Sequence, residues 1–178
     1  MLRLFLILPF LFSFITAQVW KLSDTDSTVK FKIKNLGVQV TGSFTGLTGK
    51  VNFDSTNPGA SHFEASVNVS TINTGIDLRD EHLRSDDYFD AKNHPRIRFV
   101  SSRIAAGKKS NSYTMWGNLT VRETTREISF PFSVESKDGG YRFIGEFKIN
   151  RRDYKVGGSS FTLSDNLTVY LDVFAPKG

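Results

Sequence analysis

The chain has 178 residues, a formal net charge of +5, 13% aromatic residues and no cysteine. The missing thiols exclude disulfide staples, thiol catalysis and thiolate metal sites, so stability has to come from burial and hydrogen bonding. The cations are dispersed and alternate with apolar residues, as in "VKFKIK", which reads as the wet face of a sheet and argues against a nucleic-acid partner.

The first seventeen residues place Arg3 ahead of an apolar run from Leu4 to Ile15 and finish on Thr16-Ala17. That is the layout of a cleavable signal peptide. The run is shorter than the roughly 20 apolar residues that span a bilayer, and Pro9 interrupts it. The expectation is an exported protein, periplasmic or secreted, with no stable membrane insertion. Residues 18 to 178 contain no linker-like tract and are expected to form one domain.

Period-two alternation then dominates, the signature of strands with one dry and one wet face. In "TVKFKIKN" the residues Val29, Phe31 and Ile33 share one side and Lys30, Lys32 and Lys34 the other. The pattern recurs with Phe63, Ala65, Val67 and Val69, with Ile97 and Phe99, and with Leu119 and Val121. It returns with Ile128, Phe130, Phe132 and Val134, with Tyr141, Phe143, Phe147 and Ile149, and with Leu167, Val169, Leu171 and Val173. Turn residues separate these runs at Asn57-Pro58-Gly59, Gly107-Lys108-Lys109, Asp138-Gly139-Gly140 and Gly157-Gly158. Glycines within or beside strands, such as Gly42, Gly49, Gly117 and Gly145, favour coiling and closure of the sheet into a barrel.

The exception lies between two of these runs, "TGIDLRDEHLRSDDYFDAKNHPRIRF" from Thr74 to Phe99. Asp77 is expected to cap a short helix, with Asp80 and Glu81 near its positive end and Leu83 facing inward. Residues 77 to 90 read as one or two helical turns and an ordered loop. His82 with Asp80, Asp86 and Asp87 offers donors for a divalent ion, but the spacing fits no metal motif. Helix capping and pairing of the carboxylates with Arg79 and Arg84 account for the same residues. "GGSS" at Gly157 to Ser160 is not a nucleophile elbow.

Of the 16 phenylalanines, four (Phe5, Phe10, Phe12, Phe14) lie in the leader and 12 in the domain. A barrel of about eight strands is either just filled by side chains or left with room for one apolar ligand. Both outcomes are open at this point.

The stretch from Thr74 to Phe99 also carries a resemblance. Arg79-Asp80, His82-Leu83-Arg84-Ser85, Asp87-Tyr88-Phe89-Asp90-Ala91 and Pro95-x-Ile97-x-Phe99 are similar to the segment by which YceI-like proteins are recognised. "VKFKIKNLGVQVTGSFTGLTGKVNFD", "GNLTVRETTREISFPF" and "INRRDYKVGG" extend the similarity over nearly all of residues 20 to 174. The resemblance implies an all-β, lipocalin-like antiparallel eight-stranded barrel with one helical insertion. It also implies an exported protein holding a long isoprenoid or similar lipid in an apolar pore. It brings no catalytic residue set, cofactor or metal, and a homodimer is compatible with it. The chain departs from the family pattern at Asp26, where a histidine is usual, at Asn35 in place of the histidine of His-Leu-Gly, and across Arg151 to Lys155.

The reading is therefore a lipid-binding barrel for a polyisoprenoid, quinone precursor or fatty-acyl chain. Strand phase selects the candidate tail contacts: Phe31, Ile33, Phe44, Phe53, Phe63, Val67, Phe99, Leu119, Val121, Phe130, Phe132, Phe143, Phe147, Val169 and Leu171. Arg79, His82 and Arg84 are candidates for a polar mouth. The alternatives are a filled barrel acting as an envelope stress or interaction module, and a hydrolase-type enzyme using His82 with Asp80 or Glu81.

Overall fold

A computed structural model describes residues 19–176, so the expected leader at 1–17 lies outside the described residues. The strands are β1 (Val19–Lys21), β2 (Ser23–Asn35), β3 (Val38–Phe44), β4 (Thr48–Asn52), β5 (His62–Asn68), β6 (Arg96–Ala106), β7 (Ser112–Val121), β8 (Thr124–Lys137), β9 (Gly140–Asn150) and β10 (Leu163–Ala175), with helix α1 at Asp77–Arg84. They form one antiparallel sheet in the order β1-β4-β5-β6-β7-β8-β9-β10-β2-β3.

The eight expected strands appear as ten segments because the first two are each broken once. Only Leu22 separates β1 from β2, and Thr45 to Leu47 separate β3 from β4. The first half of this opening strand pairs with β4 while the second pairs with β3 and β10. The chain itself thereby joins the two ends of the sheet and curls it round. The Leu22 amide donates to the Gly49 carbonyl at the break. The Asp24 carboxylate accepts from the amides of Gly46 and Leu47 at 3.0 and 2.6 Å, satisfying backbone donors that lost their ladder partners. At Gly49 any Cβ would collide with the Glu64 carbonyl, which fixes glycine at this crossing.

The expected turn at Asp138-Gly139 joins β8 to β9 with both residues at positive φ, as a two-residue hairpin of right-handed strands requires. The hairpin between β2 and β3 uses Leu36 and Gly37 at φ 51° and 76°. The helix also differs from expectation. Ile76, not Asp77, occupies the capping position, and no side chain caps it; Asp77 and Asp80 sit in the first turn, where their charge complements the helix dipole.

Strand direction defines two ends. Both described termini, the hairpins at 107–111 and 138–139 and the loop at 53–61 lie at one end. The β2–β3 hairpin, the segment 69–95 with α1, the 122–123 hairpin and the loop 151–162 lie at the other. The first end is filled. Phe53, Phe63, Phe132 and Phe143 pack there with Trp20, Tyr113 and Tyr141. The rings meet largely edge-on, with centroids 4.9 Å apart for Phe63–Phe143 and 5.2 Å for Phe53–Tyr113, the arrangement that ring quadrupoles favour. Ser101, itself buried, accepts the Phe63 amide at 2.9 Å.

Candidate functional site: an apolar cavity open at one end

Above the aromatic plug the inward side chains pack along the wall but no longer fill the barrel. Val29, Phe31 and Ile33 of β2 and Leu167, Val169, Leu171 and Val173 of β10 are inward by phase yet only partly buried, because they face a cavity of about 380 Å³. That size lies within the range of small-molecule sites. Phe44, Val67, Ile97 and Phe99 line it from β3, β5 and β6, and Leu119, Val121, Phe130, Phe147 and Ile149 from β7, β8 and β9.

Eleven of the residues selected by strand phase thus lie on the cavity wall: Phe31, Ile33, Phe44, Val67, Phe99, Leu119, Val121, Phe130, Phe147, Val169 and Leu171. The other four, Phe53, Phe63, Phe132 and Phe143, do not. They point inward as expected but belong to the plug, because period two reports the face of a strand and not the height along the barrel. Two of the strand glycines are covered from inside by aromatic rings. The rings of Phe31 and Phe99 lie over Gly42 and Gly117, where a Cβ would strike them.

Sequence reading turned Leu83 inward, as found, but missed the rest of the wall supplied by the loops. Leu47, Leu83, Tyr88, Phe89, Tyr154 and Val156 close the upper part. Leu83 precedes "RSDDYFD" and Phe89 lies within it, and the acidic residues of this stretch conceal the inward positions. Phe44 meets Phe89 edge-on at 5.7 Å, so α1 and its following loop cover one side of the cavity.

The polar groups of the mouth come from the same loops. Arg79 and His82 line the cavity and Arg84 does not; Arg84 reaches back to the Ser70 carbonyl at 3.4 Å. Arg79 does not pair with a carboxylate. It donates from Nε to the Thr74 hydroxyl and from Nη2 to the Thr74 carbonyl, both at 2.7 Å. Asp80, buried, accepts the Thr74 amide at 2.9 Å and its hydroxyl. Arg79, Thr74 and Asp80 therefore tie α1 to the turn before it, and charge-assisted hydrogen bonds satisfy the buried carboxylate. His82 stands edge-on to Tyr88 at 4.8 Å. Among the described residues neither Asp80 nor Glu81 bonds to it, and no group of three His, Cys, Asp or Glu side chains is placed to hold a metal.

Two of the sites where the chain departs from the family pattern reach the cavity: Asn35 at the rim and Arg151 deeper. Asp26 bonds to Ser23 far from the mouth. The Arg151 guanidinium is 4% exposed. It donates to the carbonyls of Ser164, Val156 and Gly158 and to the Asp165 carboxylate at 2.8 to 3.1 Å. It bolts the loop 151–162 to the start of β10.

Beside it, burial pushes the Tyr154 phenol up to about 12, aided by the Asp153 charge. The folded state holds this proton more tightly than the unfolded chain, whose tyrosines titrate near 10. Stability contributed by the neutral phenol is thus complete below pH 10 and is lost as pH rises from about 10 to 12. Tyr154→Phe should flatten the melting temperature across that window, measured by circular dichroism against the parent.

An antiparallel barrel plugged at one end and hollow and greasy at the other is a lipocalin-like architecture. Residues 20–175 match the YceI-like domain, and the chain belongs to that family. A UPF0312 protein of Pseudomonas fluorescens is 33% identical over 154 residues, 80% of this chain and 78% of its own length. The crystal structure of BcnA from Burkholderia cenocepacia superposes with a TM-score of 0.82 at 24% identity, covering 86% of this chain and 99% of that one. A polyisoprenoid binding domain from Saccharophagus degradans, implicated in plant cell wall breakdown, superposes with a TM-score of 0.70 at 18% identity, covering 89% and 98%.

Proposed function

We infer that this protein binds one long apolar chain, a polyisoprenoid, quinone precursor or fatty-acyl group, within the barrel, for sequestration or transport. The observation that carries the reading is the unfilled interior: inward Phe, Leu, Ile and Val side chains that line, but do not fill, a space of about 380 Å³. Leaving them so forfeits the burial that a filled core would supply, roughly 0.8 kcal/mol per methylene, and an apolar ligand restores it. The structural relative described as a polyisoprenoid binding domain supports the same chemistry.

The head of such a ligand sits at the mouth, near Arg79 and His82. Arg79 already spends two donor groups on Thr74, which fixes its plane and leaves the remaining donors for an oxygen of the ligand. The leader-like first seventeen residues support export, to the periplasm or beyond. A binding role also agrees with His82 having neither carboxylate as a partner.

Native mass spectrometry of the purified protein, followed by organic extraction, tests the reading. A stoichiometric apolar adduct, or its formation on incubation with isoprenoids and fatty acids, is the expected result. A mass that stays that of the bare chain through both steps overturns it.

A further inference from the structure

We propose that the open end of the barrel docks on a lipid bilayer, with Leu36, Val38 and Phe161 entering the interface. This rests on reading the cavity as a lipid-chain site. Seven large apolar side chains are exposed among the described residues, and five of them belong to segments at the open end. Leu36 is 75% exposed, Val38 67%, Leu78 80% and Phe161 fully exposed, with Ile76 at 52%. The Leu36 amide donates to the Thr162 carbonyl at 2.8 Å, and Asn35 pairs with Leu163. The hairpin tip and the loop 151–162 therefore form one continuous lip, while Ile76 and Leu78 extend the apolar rim along the segment that carries Thr74 and Arg79.

Leu36 breaks a local rule. At φ 51° in a two-residue hairpin, asparagine or glycine is the ordinary residue, and a leucine there is both conformationally disfavoured and exposed. Such a conflict between local preference and sequence points to function.

The occupant follows from two observations. The rim is continuous with the cavity wall, since Asn35, Val40, Ser160 and Thr162 border both. A chain sliding out between Leu36 and Phe161 must enter a medium as apolar as the cavity. A bilayer provides that medium directly below the headgroups. Charge agrees with this choice: the open-end segments 34–38, 69–95, 122–123 and 151–162 carry eight acidic and eight basic side chains, although the whole chain is +5. A balanced rim is attracted to neither anionic nucleic acid nor a strongly charged surface, so apolar insertion, not counterion release, drives the docking.

The test is flotation of the protein with phosphatidylcholine vesicles, in low and in high salt. The comparison is a variant combining Leu36→Asn, Val38→Thr and Phe161→Ser. Asparagine suits the positive φ at 36, and the melting temperature checks that the variant folds. The protein should float regardless of salt, and the variant should lose vesicle binding by at least about tenfold. Both should load an apolar fluorescent fatty acid equally from detergent micelles, because the cavity is untouched. A protein that stays at the bottom of the gradient, a variant that floats as well as its parent, or binding abolished by salt overturns the proposal. So does concentration-dependent self-association that the variant abolishes while vesicles bind neither form. If the parent floats but neither form loads the probe, docking stands and the cavity reading falls.

Discussion

Val169→Trp is expected to weaken uptake of a long-chain ligand by about 100-fold while leaving the fold intact. Val169 sits midway along the cavity wall, paired with Phe31 on one side and Phe147 on the other, and all three are only partly buried. An indole placed there occupies space that a ligand chain would otherwise fill. Displacing three or four methylenes at roughly 0.8 kcal/mol each removes about 3 kcal/mol, which is on the order of two decades in affinity. In a packed core the same enlargement would force strained rotamers at about 1–3 kcal/mol, but here there is empty volume to receive it. A titration with a fluorescent long-chain probe, beside a thermal melt, reads both quantities. Unchanged affinity would place the ligand elsewhere; a collapse in melting temperature would show that the interior is not hollow at this height.

Phe63→Ala is expected to do the reverse. Phe63 is 8% exposed and touches the rings of Phe53, Phe132 and Phe143. Truncating a buried phenylalanine costs about 3–5 kcal/mol from lost transfer energy and the void left behind. For a domain of this length that corresponds to a fall in melting temperature of about 10 °C. Affinity for the probe should stay within about threefold, measured well below the transition, because the plug lies beneath the cavity. Selective loss of binding with an unmoved melting temperature would mean that the ligand reaches through the plug. Together the two variants separate the halves of the barrel, one holding the fold and the other holding space.

Much of this architecture was legible in the residues. The alternation in "TVKFKIKN" fixed which side of β2 faces in, and Asp138-Gly139 announced its hairpin, because both signals are local and the physics behind them is short-range. What was not legible depends on distance along the barrel axis. Phe132 and Phe130 are two residues apart on the same face, yet one packs in the plug and the other borders the cavity. Nothing in a period-two pattern distinguishes them. The stretch around α1 misled in a different way. Arg79 and Arg84 stand among carboxylates in the sequence, but the backbone carbonyls and the Thr74 hydroxyl were the partners within reach, and sequence proximity cannot weigh a carbonyl against a carboxylate. Leu36 was hidden for the opposite reason: its turn violates the residue preference by which turns are found.

The seam between β2 and β10 has a consequence for how the molecule assembles. Val29 pairs with Leu171 and Ile33 with Leu167, contacts between nearly opposite ends of the chain. From β5 to β10 each neighbour in the ring is the next strand along, so those pairs can form one after another. The seam cannot form until the last strand exists, and joining such distant segments carries the largest loop entropy in the molecule. A chain shortened by the length of β10 would be left as an open sheet with two unsatisfied edges and a greasy face turned to water, the kind of species that aggregates. Completion of the final strand is thus the step that turns a sticky ribbon into a vessel.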